Sequence, residues 1–294
     1  MSSHTSATTF HASHTTKRTH ARNRASRARI AATLLVLLGI ADAQAGTTGN
    51  VSLTSDYVFR GVSQSNSDPA LQGGVEFSAE SGAYIGTWGS SISWLSDLST
   101  TAAPLSSSLE LDVYGGYRGT FSDAVSYDVG ALYYWYPGDF PAGFNSADTL
   151  EVYAGITVAA SEKISLGAKY SVSATDLFGY ANSDGSGYLD LTANIAVAEG
   201  WTIITHAGRQ WIEGNAAFEY TDWKLGVTRA FDNGFSVGLA YTGTDADDAL
   251  YTNPFGNKVA DDTVARAITR AVGEAANDET SHRDHPPVQA RRGA

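Results

Sequence analysis

From about Asn50 onward, segments of roughly ten residues alternate apolar with polar side chains, and connectors separate one segment from the next. In the first segment, Val51 and Leu53 share one face, and Ser52 and Thr54 share the other. Successive side chains of a strand point to opposite faces, so the period of two predicts β-strands. About twelve such segments, joined by alternately short and long connectors, indicate an antiparallel up-and-down transmembrane β-barrel.

The pattern places twelve strands and sorts the connectors into five short turns and six longer loops. In bacterial outer-membrane barrels the short turns face the periplasm and the longer loops face outside, so we expect that orientation here. A soluble barrel or sandwich also alternates, but the polar faces of this chain carry many charges that could not pack a dry core. The predicted strands cover residues 50–60, 71–80, 84–94, 108–118, 124–135, 148–159, 163–174, 188–198, 201–211, 220–229, 235–244 and 262–272.

The N-terminus predicts a cleaved Sec-type signal peptide at residues 1–45. Residues 1–29 carry six basic side chains and no acidic one, and the apolar run Ile30–Ile40 is too short to span a bilayer. Small residues at 43–45 then supply the cleavage site, so the chain is expected to reach the bacterial outer membrane. The basic stretch is unusually long, which leaves a start downstream of Met1 open.

Composition limits the function. Residues 1–45 hold 6 of the 19 basic and one of the 31 acidic residues. The chain that remains after cleavage therefore has 13 basic and 30 acidic residues, a net charge of −17. Nucleic-acid binding needs a basic surface and is therefore not expected. With no cysteine there is no disulfide or thiolate metal site, and no cofactor is expected. The expected partners are outer-membrane lipid, lipopolysaccharide, the barrel-assembly machinery and small hydrophilic solutes, with the oligomeric state left open.

The barrel is predicted to end at residue 272. Arg266 falls at a lipid-facing position, where an arginine near the midplane costs about 2–4 kcal/mol. Val272 stands where such barrels usually carry a terminal aromatic residue. The polar segment 273–294 lacks periodicity and is predicted to be disordered, and a frameshifted C-terminus is one hypothesis for it.

Aromatic residues near the strand ends suggest two membrane-interface girdles, because amphipathic rings favour that depth. The loop-side girdle would contain Tyr57, Phe59, Trp94, Trp135 and Trp211, and the turn-side girdle Tyr84, Trp201 and Phe235.

Several segments resemble one known family. The stretch Asn50–Ser65, reading NVSLTSDYVFRGVSQS, is similar to the opening of the TorF-type porin family of bacterial outer-membrane proteins. Further matching stretches bring the resemblance to about residues 48–270. It implies an outer-membrane barrel that forms a channel, without a defined solute. Those stretches are Asp68–Gly74, Ala83–Ser90, Glu110–Tyr117 and Tyr220–Val227.

If the apolar faces meet lipid, the polar faces line the lumen. Eight acids then oppose four bases, and an acidic lumen predicts a porin-like channel with a weak preference for cations. The alternative is that acids and bases pair and plug the barrel, which would leave a structural or adhesion anchor. The predicted pore-lining residues are Asp56, Arg60, Glu76, Glu110, Asp112, Arg118, Asp128, Glu151, Lys169, Asp190, Asp222 and Lys224.

An enzyme is not expected. His206 is the one histidine of residues 46–272, so a Ser-His-Asp hydrolase would have to use it, for example with Asp190. The alternation does not fix which face His206 occupies. The acids of the longest loop could gather Ca²⁺ weakly, but solvated carboxylates are the favoured interpretation because their spacing matches no calcium loop. These acids are Asp245, Asp247, Asp248, Asp261 and Asp262.

Overall fold

The computed structural model describes residues 46–273. The predicted signal peptide, and the predicted polar tail apart from Gly273, lie outside the described residues. Over residues 46–273, no helix has the length and apolar character needed to cross a membrane.

Twelve strands form a closed antiparallel barrel, which confirms the predicted fold class. Each barrel strand pairs with its neighbour along the chain, and the first strand closes the barrel by pairing with the last. Two further strands, β2 and β3, form a small separate hairpin. The strands are β1 (Gly46–Thr54), β2 (Val58–Phe59), β3 (Val62–Ser63), β4 (Ala70–Ser78), β5 (Ala83–Ser91), β6 (Leu109–Ser122), β7 (Val125–Trp135), β8 (Thr149–Ser161), β9 (Ile164–Ser173), β10 (Gly187–Ala198), β11 (Trp201–Trp211), β12 (Tyr220–Ala230), β13 (Phe235–Thr244) and β14 (Thr263–Gly273).

The two rims of the barrel differ in connector length. Five short turns lie at one rim, which we call the turn end, together with Gly46 and Gly273. The opposite rim, the loop end, carries six longer connectors, among them short 3₁₀ turns at Ser96–Leu98 and Ala216–Phe218. The predicted sorting of connectors is therefore present in the fold. The connectors of the loop end are residues 55–69, 92–108, 136–148, 174–186, 212–219 and 245–262.

The alternation separates an apolar outside from a polar inside. Val51 and Leu53 of β1 are 58% and 55% exposed on the outer wall, whereas Ser52 and Thr54 are buried at 8% and 6%. Leu225 of β12 is 59% exposed in the same way. A continuous apolar outer wall of this kind is suited to lipid rather than to water.

The first strand is shorter than predicted. The alternation suggested a strand over residues 50–60, but β1 ends at Thr54 and the chain then turns into the barrel. Arg60 and Gly61 adopt left-handed conformations, with φ of 47° and 80°, and form the turn of the β2–β3 hairpin. We call residues 55–69 the inner segment. The prediction was wrong here because Tyr57 and Phe59 continue the apolar alternation while facing packed protein instead of lipid.

The loop half of the barrel contains a packed core. Its buried members include Tyr57 of the inner segment, Ile92, Leu95 and Tyr134, with Phe59 and Trp94 packed against them. Tyr57, Phe59 and Trp94 therefore do not belong to a lipid girdle, and the prediction that they do is wrong.

Of the other five predicted girdle residues, one faces the interior and four lie on the outer wall. Tyr84 also points inward, where its hydroxyl donates to Asp128 Oδ1 at 2.5 Å, so its assignment to the turn-side girdle is wrong. Trp135, Trp211, Trp201 and Phe235 lie on the outer wall, 39–46% exposed.

The last strand carries Arg266 on the outer wall. Its backbone lies opposite Leu239 of β13, and Val264 and Ile268 share its face. β14 pairs along its length with both β1 and β13, so the barrel closes with Arg266 in that position.

Candidate functional site

Three cavities lie inside the barrel. The outer vestibule, about 640 Å³, lies at the loop end and is bounded by the inner segment. The mid-lumen cavity, about 670 Å³, and the turn-end cavity, about 630 Å³, share four lining residues: Arg118, Asp128, Lys169 and Asp190. Between the vestibule and the mid-lumen cavity stand the two residues that line both, Phe59 and Arg60.

Most of the charged residues predicted to line a pore surround one cavity. Glu76 and Glu110 are the two of the twelve that do not line the mid-lumen cavity. Glu76 instead binds Arg118, and Glu110 is buried behind Tyr57. The ten that line the cavity are Asp56, Arg60, Asp112, Arg118, Asp128, Glu151, Lys169, Asp190, Asp222 and Lys224.

Arg60 is held across the lumen by two strands. Its guanidinium donates to Glu151 Oε2 of β8 at 2.7 Å and to Gln210 Oε1 of β11 at 2.9 Å. It also lies over the Tyr188 ring, 4.1 Å from the ring centroid. Burial alone would lower the pKa of Arg60, but the Glu151 carboxylate outweighs it and raises the pKa above the ordinary guanidinium value. The result is a buried ion pair between the two cavities.

Three further hydrogen bonds attach the inner segment to the barrel and its loops or shape its turn. The Tyr57 hydroxyl donates to Glu110 Oε1 at 2.8 Å, and the pKa of Tyr57 is raised by burial and by the neighbouring Glu110 carboxylate. The side chain of Ser63 donates to Asp56 Oδ1 at 2.6 Å, which closes the hairpin on itself. The Ser63 backbone N–H donates to the Val259 carbonyl of the longest loop at 2.7 Å.

Asn66 adds a link near the outer surface. Its side-chain oxygen accepts hydrogen bonds from the amides of Asn253, at 2.8 Å, and Asn257, at 3.0 Å. The inner segment is therefore attached to the barrel wall at several points and to the loop above it.

His206 lies in the lumen between two carboxylates, which settles the face that the sequence left open. Its Nδ1 is 2.8 Å from Asp190 Oδ1, and its Nε2 is 2.6 Å from Asp222 Oδ2. Tyr188 donates to the same Asp222 side chain at 2.9 Å. Both ring nitrogens are occupied by acids, so neither is placed to take a proton from a serine or water nucleophile.

Nearer the turn end, Arg118 joins two acids in a more open setting. It binds Glu76 through two nitrogens, at 2.5 and 3.0 Å, and Asp128 at 3.2 Å. The guanidinium also stacks on Tyr84, 3.7 Å from the ring centroid. The Arg118 side chain is 46% exposed, compared with 7% for Arg60.

Four ionisable side chains of the mid-lumen cavity are left without a full set of partners. Asp56 Oδ2 and Asp112 Oδ1 are buried and accept no hydrogen bond within residues 46–273. Lys169 and Lys224 form no ion pair with a carboxylate of those residues, and both are exposed residues that line the cavity. Acids and bases thus remain available on different parts of the wall.

The sequence placed Asp56 and Arg60 on the first barrel strand, and that placement is wrong because both belong to the inner segment. Sequence reasoning also missed three residues that position the charges, namely Tyr57, Tyr188 and Gln210. Gly61 was the available signal for the hairpin, since a turn that needs positive φ favours glycine.

The acids of the longest loop have ordinary polar partners. Asp248 binds Lys258 at 2.5 Å, and Asp245 accepts the Thr221 N–H at 2.5 Å. Within the described part of the chain, no group of three or more histidine or carboxylate side chains could hold a metal ion.

The chain belongs to a family described as bacterial proteins of unknown function (Gcw_chp), whose profile matches residues 40–275. No curated protein sequence matches the chain.

Several solved outer-membrane channels have a similar barrel. A KdgM porin aligns with a TM-score of 0.48 at 6% identity, covering 77% of this chain and 97% of its own. A NanC porin aligns with a TM-score of 0.49 at 9% identity, covering 78% and 99%. An outer-membrane channel from Pseudomonas putida F1 aligns with a TM-score of 0.45 at 13% identity, covering 80% of this chain and 97% of its own. The likeness lies in the barrel architecture alone.

Proposed function

We propose that the protein is an outer-membrane channel for the passive diffusion of small hydrophilic solutes, and that the inner segment limits passage. The observation that carries this proposal is the row of polar cavities inside a closed barrel with an apolar outer wall. A barrel that served only as an anchor would not need cavities lined by charged side chains. Because Phe59 and Arg60 border both the vestibule and the mid-lumen cavity, we place the narrowest point there.

We further propose a weak preference for cations. Of the eight lumen acids, Glu151 is neutralised by Arg60, Glu76 and Asp128 share Arg118, and Asp190 and Asp222 share His206. Two acids on one arginine leave one negative charge at Arg118, and in the mid-lumen cavity Asp56 and Asp112 stand against the two bases Lys169 and Lys224. This small excess supports weak selectivity, since charged rings act on permeating ions in proportion to their unpaired charge.

The second candidate function is a plugged barrel that acts as a structural or adhesion anchor. The observation in its favour is the firm attachment of the inner segment through Arg60, Tyr57 and Asn66. The hydrolase alternative has less support, because the two carboxylates on His206 leave no free nitrogen for a general base.

Single-channel recording of refolded protein in a planar bilayer tests the proposal. Heat-modifiable gel migration first shows that the protein is folded. With a salt gradient across the bilayer, we expect discrete conductance steps and a reversal potential slightly toward that of the cation. Folded protein that gives no steps, both as the natural chain and after replacement of residues 58–63 by a short Gly-Ser linker, would refute the channel.

A further inference from the structure

The outer vestibule is lined mainly by aromatic and other apolar side chains. Eight of its 24 lining residues are aromatic, and two, Arg60 and Asp97, are charged. Its volume of about 640 Å³ lies in the range of small-molecule sites in proteins. All six longer connectors of the loop end supply lining residues, with Ile212 as the contribution of residues 212–219.

The aromatic rings hold one another in place. Phe59 and Phe178 meet edge to face at 5.8 Å between centroids, and Trp94 meets Tyr136 in the same way at 5.4 Å. On the other side, the Tyr251 hydroxyl donates to the Phe218 carbonyl at 2.6 Å. Because that hydroxyl is already used, Tyr251 can offer a ligand the surface of its ring. Pre-positioned rings lose little conformational entropy when a flat solute packs against them.

Backbone strain is concentrated at this cavity. Phe178 and Arg60 both adopt left-handed conformations, with φ of 46° and 47°, and both line the vestibule. Phe178 is kept there by hydrogen bonds from its own N–H to Thr149 Oγ1, at 2.8 Å, and from the Leu177 N–H to Ser183 Oγ, at 2.7 Å. Residues held in such conformations cluster at binding sites, where the surrounding structure enforces them. The strain turns one aromatic ring into the cavity.

The polar groups of the vestibule favour an uncharged ligand with one hydrogen-bonding group. The Arg60 charge is neutralised by Glu151, so no unpaired cation among the lining residues attracts an anion, and the Asp97 carboxylate already accepts the Ser93 hydroxyl at 3.0 Å. Trp94 lines the cavity, and its indole N–H is buried without an acceptor in the described part of the chain. A buried donor without a partner costs free energy, and a ligand oxygen that reaches it after a small movement of the lining side chains would recover that cost.

We propose that the outer vestibule binds small uncharged aromatic solutes that carry a hydroxyl or carbonyl group, of which phenol is the simplest. Ring stacking on Phe178 and Phe59 supplies most of the selectivity, and the Trp94 N–H orients the polar group. This inference deepens the proposed channel function. It rests on that function only for the passage of the bound solute beyond Arg60. Binding itself can be measured in protein that does not conduct.

Equilibrium dialysis of labelled phenol against the folded full chain in detergent micelles tests the proposal, with protein-free micelles subtracted. Cyclohexanol is the matched ligand, since it has similar size and a hydroxyl group but no aromatic ring. We expect saturable binding of phenol that is tighter than that of cyclohexanol. Phe178→Leu should weaken phenol binding by roughly two- to ten-fold, the usual contribution of one aromatic contact.

Trp94→Phe keeps a ring and removes the N–H, so it should weaken the binding of phenol but not of benzene. Trp223→Phe is the control, because Trp223 lies on the outer wall, and it should change nothing. No saturable phenol binding, equal affinity for cyclohexanol, or equal effects of Trp94→Phe and Trp223→Phe would overturn the proposal. If Phe178→Leu does not fold, the comparison of Trp94→Phe with Trp223→Phe still tests the proposal. Conductance without phenol binding would refute this inference alone. Phenol binding without conductance, in both the natural chain and the variant with residues 58–63 replaced, would refute the channel alone.

Discussion

The half of the lumen toward the loops is filled with packed rings and a buried ion pair, whereas the half toward the turns is lined by exposed charges. Arg60 marks the first half and Arg118 the second, with side-chain exposures of 7% and 46%. Both arginines bind a carboxylate and stack on a tyrosine. The chemistry is thus alike, and only the surroundings differ.

The connectors explain this difference. The twelve strands form one wall around both halves, and no residue of the five short turns lines any of the three cavities. The six longer connectors fold over the loop end and bring in Tyr57, Leu95 and Leu105, which are buried. The strands therefore form the outer surface along the whole barrel, and the connectors determine whether the interior of each half is packed with side chains or contains open cavities.

The strongest test of the comparison is the loss of the Arg60 charge. Arg60→Met would leave Glu151 buried and unpaired, which costs about 3–5 kcal/mol. We expect the inner segment to leave its packed position part of the time. A cysteine at Ser65, which is 4% exposed, should then react with a thiol reagent at least about a hundred-fold faster, because each 1.4 kcal/mol is worth ten-fold. The chain has no natural cysteine to interfere.

The matched control removes both charges. In Arg60→Met with Glu151→Gln no buried charge remains unpaired, so the labelling rate should return most of the way to that of the parent chain. If the single and double variants label equally fast, the ion pair does not hold the inner segment.

A smaller effect is expected from Tyr57→Phe in the same half. The change removes one hydrogen bond to Glu110, which is 2% exposed, and should destabilise the packed state by about 1–3 kcal/mol. Thermal dissociation followed by heat-modifiable gel migration measures it, with Tyr241→Phe on the outer wall as the control. An equal shift in both variants would show that the buried bond has no special weight.

Arg118→Gln tests the open half. Its ion pairs with Glu76 and Asp128 are solvent-exposed, so we expect a loss of at most about 1 kcal/mol in stability. The same thermal assay should show little change, while conductance shifts modestly toward cations. A loss as large as that of Arg60→Met would contradict the contrast between the two halves.

The smallest expected effect concerns the unpaired bases. Lys224→Gln removes one unpaired positive charge from the mid-lumen cavity, so the reversal potential should move toward that of the cation. Asp128→Asn, which removes one of the two carboxylates that share Arg118, should move it in the opposite direction. Shifts of the same sign in both variants would refute the selectivity assignment.

Much of the barrel could be predicted from the sequence, because the alternation of apolar and polar residues along a strand shows which side chains face outward and which face inward. Eleven of the twelve barrel strands lie close to their predicted positions, and β11 spans residues 201–211 in both. The first strand was misjudged beyond Thr54, since Tyr57 and Phe59 have the same spacing whether lipid or protein covers them. For the same reason, Trp94 and Tyr84 were wrongly assigned to the membrane-interface girdles, although both face the interior of the barrel.

The site was predictable in its charges but not in its pairings. Period two places Asp190 and Asp222 in the lumen, yet a pattern along single strands cannot show that both meet His206. Nor can it show that Arg60, in a connector, reaches Glu151 on β8. These contacts depend on the stagger between strands and on where the connectors fold, and both are properties of the closed barrel.

The central claim is that passage is limited where the inner segment crosses the lumen. The most direct measurement compares single-channel conductance of the natural chain with that of a variant in which residues 58–63 are replaced by a short Gly-Ser linker. We predict discrete steps from both, roughly several-fold larger in the variant, since conductance follows the narrowest section of a pore. Equal conductance from two folded proteins would contradict the account, because the path would then not pass the inner segment.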